Sequence, residues 1–393
     1  MEVPLAARPD MLSLDEAEAL AAATRAVCER LAPEDRIREI AYERDATPRR
    51  GFDDELWMML CTQIGITTIA VSQHLGGAGC GVSALGVVGR ELGRALAPVP
   101  FLASVVLATG LVLDVVGGDD PGNLGTALAP LLAGERTAAA ALTRDGGARV
   151  RGDNPVMARP DARDEWVLTG SARHVLHAAA ADDLVVSGTH NERTGIFLLA
   201  ADSPGVTREI ESVLDPTRPM ATVEFHGARA TRIDAGGCAE ELIDSRTLKA
   251  LAVLSAEQVG ANERLLELAV DHATSRHQFG RPIGSFQAVK HRCADMLVEL
   301  EWSRSASQAA MQSADDEPVG TAAELRWRAR MAKAVCSESL RAASHSNLQI
   351  RGGIGFTWED SAHLYLKRAR TDEVLFGTPA EHWDKFAAEA GLS

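Results

Sequence analysis

Apolar residues recur at three- and four-residue spacing through DEAEALAAATRAVCERL and ELWMMLCTQIGI, and again in VSALGVVGRELGRAL, so the chain from Ser13 to about Leu102 is expected to be helical. HLGGAGCG, residues 74–81, breaks that period with four glycines, and Pro98 and Pro100 close the last helix. FLASVVLATGLVLDVVGG predicts a further buried helix. From about Glu135 to Gly237 the period shortens: EWVLTGS, DDLVVSG, TGIFLLA and ATVEFHG alternate with Gly, Asp and Pro breaks, the pattern of a small antiparallel β domain. The helical period then returns from Glu240 to Ser275, Phe286 to Ser313, Thr321 to Leu348 and Ser361 to Arg370, predicting packed amphipathic helices with QSADDEPVGTAAE, residues 312–324, as an exposed turn. The expected fold is α+β: an N-terminal helical domain over 1–134, a middle antiparallel β domain over 135–238 and a C-terminal four-helix bundle over 239–393.

Composition narrows the class. The chain has 393 residues, 46% of them hydrophobic and 24% charged, which is ordinary for a folded protein and excludes wholesale disorder or a fibrous repeat. Forty Lys and Arg against 55 Asp and Glu give a net charge of -15, which repels nucleic acid and anionic lipid, so any anion site has to be local. The six cysteines show neither C-x-x-C pairing nor zinc-type spacing, and no disulfide framework or metal is expected. The first twenty residues lack a basic start followed by an apolar run, and no later stretch is long and charge-free enough for a bilayer, so the expected location is cytoplasmic.

Two segments carry candidate chemistry. In SRHQFGRPIGSFQAVKHRCADM, residues 275–296, Arg276 ends one helix, a Gly-Arg-Pro turn follows, and a new helix opens near Ser285. A helix N-terminus beside a guanidinium suits a pyrophosphate, and the same spacing also describes a capped helix turn with a solvated arginine. In QIRGGIGFTWEDSAHLYLKRAR, residues 349–370, Gly352, Gly353 and Gly355 permit positive φ or close approach to a ligand that Gln349 is placed to bond. Glycines of this kind also simply end helices.

In this order, R-x-x-F-G-x-x-I-x-x-F-Q followed by A-D-M, then Q-x-x-G-G-x-G-F, the segments closely resemble the acyl-CoA dehydrogenase family. HLGGAGCG with ELGRAL and the helix–sheet–helix order extend the resemblance over the whole chain, the middle only loosely. The resemblance implies FAD held between the subunits of a homo- or hetero-tetramer. It implies Arg276, Gln278 and Phe279 beside the flavin pyrophosphate of a neighbouring subunit, Gln287, Gln349, Gly352 and Gly353 on the adenosine side, and Gly377 and Thr378 over the isoalloxazine end. Thr143 is the one flavin contact retained from a family segment that reads here LTRDGGAR. An acyl-CoA thioester as substrate and an electron-transfer flavoprotein as acceptor complete the implied picture.

The family's reaction is α,β-dehydrogenation: a carboxylate takes the α-proton as the β-hydrogen leaves as hydride to the flavin. Its two usual base positions fall here on Phe376 and on Ala250, ten residues before Gly260, and neither side chain accepts a proton. Ala250, Leu254, Glu257, Phe376 and Gly377 are the expected substrate contacts, and their small members leave room for a bulky acyl group, such as a steroid side chain. Glu257 lies seven residues, about 10 Å, along the helix from Ala250; it reads either as a carboxylate paired with a neighbour or as the lining of a deep cavity. Asp372 and Glu373 read as solvated helix-end charges, and His177, His363 and His382 receive no role. A missing base leaves two further readings: a catalytically degenerate partner in a heteromeric enzyme, as in the actinobacterial heteromeric members that the chain also resembles, or an oxidase- or monooxygenase-like relative.

Overall fold

In the computed structural model, residues 12–42, 51–117, 124–142, 156–161, 165–234, 237–316, 323–389 and 391–392 are described. Helices α1 (Leu14–Leu31), α2 (Glu34–Tyr42), α3 (Asp54–Met59) and α4 (Val82–Ala95) form the N-terminal layer. Ser13 starts α1 with a capping box, its hydroxyl accepting from the Glu16 N–H while the Glu16 carboxylate accepts from the Ser13 N–H. The apolar segment FLASVVLATGLVLDVV begins as a wholly buried π-helical stretch, Phe101–Thr109, that runs on into α5 (Gly110–Val116), and α6 (Gly125–Leu132) follows.

Among the described residues seven strands form the middle: β1 (Ala138–Ala141), β2 (Met157–Pro160), β3 (Trp166–Leu176), β4 (Asp183–His190), β5 (Arg193–Ala200), β6 (Val206–Ile210) and β7 (Met220–Arg232). Their order is β1-β4-β2-β3-β7-β5 with β6 on β7, and β5 also pairs with β4, so five strands close into a ring. The pairing is largely antiparallel, but β1 runs parallel to β4, and β2 meets β4 parallel at Met157 and Thr189. Four alanines carry little β preference, so β1 owes its conformation to this pairing. Successive residues of β4 and β5 alternate between two cores: Leu184, Val186, Phe197 and Leu199 fill the ring, while Val185, Ile196 and Leu198 pack on α5, α6 and the start of the next helix. Both faces are covered, hence the unbroken apolar runs.

The C-terminal part comprises α7 (Ala239–Ser275), a two-stranded hairpin of β8 (His277–Gln278) and β9 (Arg281–Pro282), α8 (Gln287–Asp316), α9 (Ala323–Arg351), α10 (Ala362–Val374) and α11 (Pro379–Glu389). The turn expected over 312–324 starts late: α8 continues to Asp316 with Ser313 and Asp315 buried, and residues 317–322 lie outside the described residues. α7 departs from the amphipathic expectation: every residue from Ser245 to Glu263 is buried, because α4, α8, α9, α10 and the π-helical stretch surround it. Two glycines permit the tightest of these crossings. A methyl at Gly260 would lie 1.8 Å from the Arg90 carbonyl and one at Gly93 2.0 Å from that of Glu257, so α4 and α7 touch backbone to backbone. One apolar core therefore runs from Val27 and Trp57 in the first helices through Leu254 on α7 to Phe376 beyond α10.

Candidate functional site

The residues that the sequence nominates divide into an exposed group and a buried one. α7 stops at Ser275, and the β8–β9 hairpin turns through Phe279 at φ 56° and Gly280 at φ 77°. Two consecutive left-handed residues make a type I′ turn, unusual for an aromatic. The turn lifts the Phe279 ring into solvent, 91% exposed. Behind it Phe286 lies edge-on at 6.1 Å and the Arg281 guanidinium sits 4.1 Å over the Phe286 ring. Residues 283–285 form a single 3-10 turn, so the helix expected near Ser285 begins at Gln287. Arg276, Gln278 and Gln287 are all exposed.

At the end of α9, Gln349 is exposed, Gly352 turns left-handed at φ 63°, and a side chain at Gly352 or Gly353 would meet nothing of this chain within 4 Å. The ends of α7 and α9 lie together: His272 is held below its ordinary pKa first by burial, then by the charges of Arg351 and, more weakly, Arg276. Gly377 and Thr378 do not join them. The Gly377 carbonyl is bonded to Lys333, which lies eighteen residues before Arg351 on α9. At 1.5 Å per residue that is about 27 Å, so one chain presents the two ends of the implied cofactor site apart. Thr143 lies outside the described residues.

The acyl side is closed. Ala250 and Leu254 are 0% exposed and Phe376 packs in the same core, so among the described residues no room for a bulky group opens at these three positions. Glu257 takes the first of its two sequence readings, as a paired carboxylate. Its Oε1 accepts from Arg218 Nη2 and, at 2.6 Å, from Arg368 Nη1. Arg368 also donates from Nε to Asp215 at 2.6 Å and from Nη2 to the Thr217 hydroxyl at 2.7 Å, and Thr217 closes back on Asp215 through its N–H and hydroxyl. Arg218 Nε stands 3.2 Å from Asp372, too poorly aligned for a hydrogen bond.

Asp372 is therefore no solvated helix-end charge: α10 turns it inward beside this knot. Burial, reinforced by Glu257 and Asp215 and opposed by the two arginines, raises its pKa to about 6. Burial acts the same way on Asp215, but Arg368, Thr217 and Arg218 outweigh it and hold that carboxyl below its usual range. Beside the knot remains a cavity of about 20 Å³, room for one water, between these polar groups and Leu92, Phe101 and Leu176. His177, just after β3, lines it with an unpartnered Nδ1; burial first, then Arg218 and Arg368, push its pKa down to about 3, so the ring is neutral. Asp215, Thr217, Arg218 and Arg368 were missed in the sequence, where DPTR and LKRAR look like any surface charge; only the packing of α10 on the β6–β7 connection unites them.

Residues 14–119 match the acyl-CoA dehydrogenase N-terminal domain and residues 246–390 the acyl-CoA dehydrogenase C-terminal domain. The acyl-CoA dehydrogenase IpdE2 of Mycobacterium tuberculosis is 34% identical over 334 residues, 84% of this chain and 85% of that protein. Among solved structures, the ChsE4–ChsE5 complex from Mycobacterium tuberculosis superposes with a TM-score of 0.83 at 25% identity over 97% of this chain and 99% of that one. A variant of the Tcur3481–Tcur3483 steroid acyl-CoA dehydrogenase does so at 0.83 and 26% over 96% and 98%. No described helix is long and apolar enough to cross a membrane, and the described residues contain no cluster of three metal-ligating side chains. The chain belongs to the acyl-CoA dehydrogenase family, flavoprotein oxidoreductases of lipid metabolism that dehydrogenate acyl-CoA thioesters at a CH–CH bond.

Proposed function

We propose that this chain is the base-less, flavin-binding subunit of a heteromeric acyl-CoA dehydrogenase, in which a second chain supplies the catalytic carboxylate and the acyl cavity. The observation that carries this reading is the closed acyl side. Phe376 and Ala250 stand at the base positions, and Ala250 and Leu254 are packed core. Glu257 is paired through Oε1 with two guanidinium donors, in the wall of a cavity with room for a single water. A general base must lie within hydrogen-bond reach of the proton it removes, and a cavity of this size admits no acyl chain beside Glu257.

The exposed group fits FAD. The Arg276 guanidinium offsets phosphate charge, and Gln278, Gln287 and Gln349 offer amide donors and acceptors to phosphate and ribose hydroxyls. Gly352 and Gly353 leave space for a close approach, and α8, thirty residues long, brings the positive end of its dipole to Gln287. When bound, FAD supplies the acceptor for the hydride leaving the acyl β-carbon. Since Thr378 lies far from Arg276 within one chain, each cofactor is completed across an interface. α8 presents Leu297, Val298 and Trp302 to solvent for such a contact. The assembly we infer is a hetero-tetramer that takes a bulky, steroid-type acyl-CoA in its partner's cavity and passes electrons to an electron-transfer flavoprotein. The two-protein solved relatives, one of them a steroid enzyme, support this.

The test is the visible spectrum of the chain purified alone and after co-expression with the chain encoded beside it, followed by anaerobic addition of acyl-CoA. Colourless lone protein that gains a flavin spectrum with its neighbour, and is then bleached by acyl-CoA, is the expected result. A lone chain that is yellow and is bleached by acyl-CoA overturns the reading.

A further inference from the structure

Lys333 on α9 is a wholly buried cation outside the charged knot. Its Nζ donates to the Ser337 hydroxyl at 2.9 Å and to the carbonyls of Glu373 and Gly377, each at 3.3 Å, so all three ammonium N–H groups have acceptors. Ser337 accepts in turn from Gln258 Nε2 at 3.0 Å, which ties the same point to α7. From the other side, the neutral His382 ring donates through Nε2 to the Phe376 carbonyl at 3.1 Å. The Thr378 N–H reaches the Glu381 carboxylate at 2.9 Å, and the Glu381 N–H returns to the Thr378 hydroxyl at 3.3 Å, capping α11. Three consecutive residues are thus each gripped by a side chain from α9 or α11.

The loop needs that grip. Phe376 has φ 60° and Gly377 φ 107°, a left-handed course that a bulky aromatic adopts only where its surroundings over-determine it.

We propose that Lys333, assisted by His382, is the positioning residue of the Phe376–Thr378 loop, holding it in the left-handed course that presents Gly377 and Thr378 to the isoalloxazine end of the flavin. The proposal rests on the flavin reading given above. The groups facing Lys333 are Cys336 on its own helix, Asp372 and Glu373 on α10, and Glu381 and His382 on α11, with Arg330 and Lys385 beyond the imidazole. Burial outweighs the three carboxylates and the thiol among them and draws the Lys333 pKa down to about 8, while burial, Lys333 and Arg330 keep His382 uncharged, with a pKa of about 3. Raising the pH through about 8 therefore removes one of the three donors.

The experiment uses the flavin-loaded complex and the full-length chain, wild type and Lys333→Met, which keeps the length and removes the donors. Hydrogen exchange of the peptide spanning 374–379 is expected to quicken at least tenfold in Lys333→Met, with peptides from α1 and α4 unchanged, and FAD affinity is expected to fall at least tenfold. In the wild type, FAD affinity should decline through about pH 8, and in Lys333→Met that dependence should vanish. Unchanged loop exchange in the variant, with or without flavin loss, overturns the clamp. A loosened loop with unchanged FAD affinity overturns the flavin half of the proposal and supports the clamp alone. Should Lys333→Met not fold, loop exchange in the wild type, corrected for base catalysis, decides: a rise between pH 7 and 9 supports the clamp and a flat profile overturns it.

Discussion

Arg218 and Arg368 meet Glu257, Asp215 and Asp372 in the interior, whereas Arg276, Gln278, Gln287 and Gln349 stand exposed at the far end of the same helical bundle. Both groups combine Arg with oxygen-bearing side chains, carboxylates in the first and neutral amides in the second. In the first, Arg368 and Arg218 are tied to Glu257 and Asp215 within one chain, and the polar atoms left over, on Arg218 Nε, Asp372 and His177, lie buried beside a cavity with room for one water. In the second, the donors have few partners in the chain, and under the proposed function a phosphate-bearing cofactor and another subunit complete the site. Polar groups buried without partners are costly, so a closed cluster marks structural use and an open one marks binding.

Glu257→Ala challenges this contrast most severely. Removing the carboxylate leaves two buried guanidiniums facing one another, and about 3–5 kcal/mol of stability should be lost in denaturant unfolding. Loss of under about 1 kcal/mol, or a new acyl-CoA affinity without loss of stability, would mean that the knot is a ligand site after all.

Asp372→Asn should do the opposite. Its carboxyl is raised to about 6, above the ordinary value of 3.8, so the stability tied to its protonated form is full below about pH 4 and lost as pH rises through about 6. The neutral amide escapes that loss and should be more stable than wild type at pH 7.5 by about 1–3 kcal/mol, with no difference near pH 4. Thermal melts at the two pH values check both the sign and the window.

On the exposed side, Arg276→Ala should leave the melting temperature unchanged while weakening FAD at least tenfold, about 1.4 kcal/mol, in the assembled protein. The smallest effect concerns the hairpin tip. Phe279→Asn suits the left-handed turn better and removes an exposed apolar ring, so stability should rise by about 0.5 kcal/mol or stay level while flavin retention falls. If both properties of either variant fell together, the exposed group would be structural and the contrast would fail.

Much of the architecture was legible in the chain. The long helices came from their apolar period, with ends within three or four residues of those observed, because caps and glycines punctuate them. β1 was not legible, since four alanines state no preference and its parallel partner lies more than forty residues away. The all-round burial of α7 was hidden too, since an amphipathic helix was expected: the charged Arg246, Lys249 and Glu263 are buried because each finds a partner from another element, Asp114 for the first two and Arg90 and Arg304 for the third.

Residue identity and spacing along continuous pieces of chain were enough to fix the family, to place Phe376 and Ala250 at the positions where its resemblance implies a base, and to order the exposed candidate segments. The closure of the acyl side emerged only on folding. It needed Arg218 from a sheet connection and Arg368 from α10 to converge on Glu257, 39 and 111 residues away in the chain, and no periodicity records which charges will meet once the apolar faces have packed.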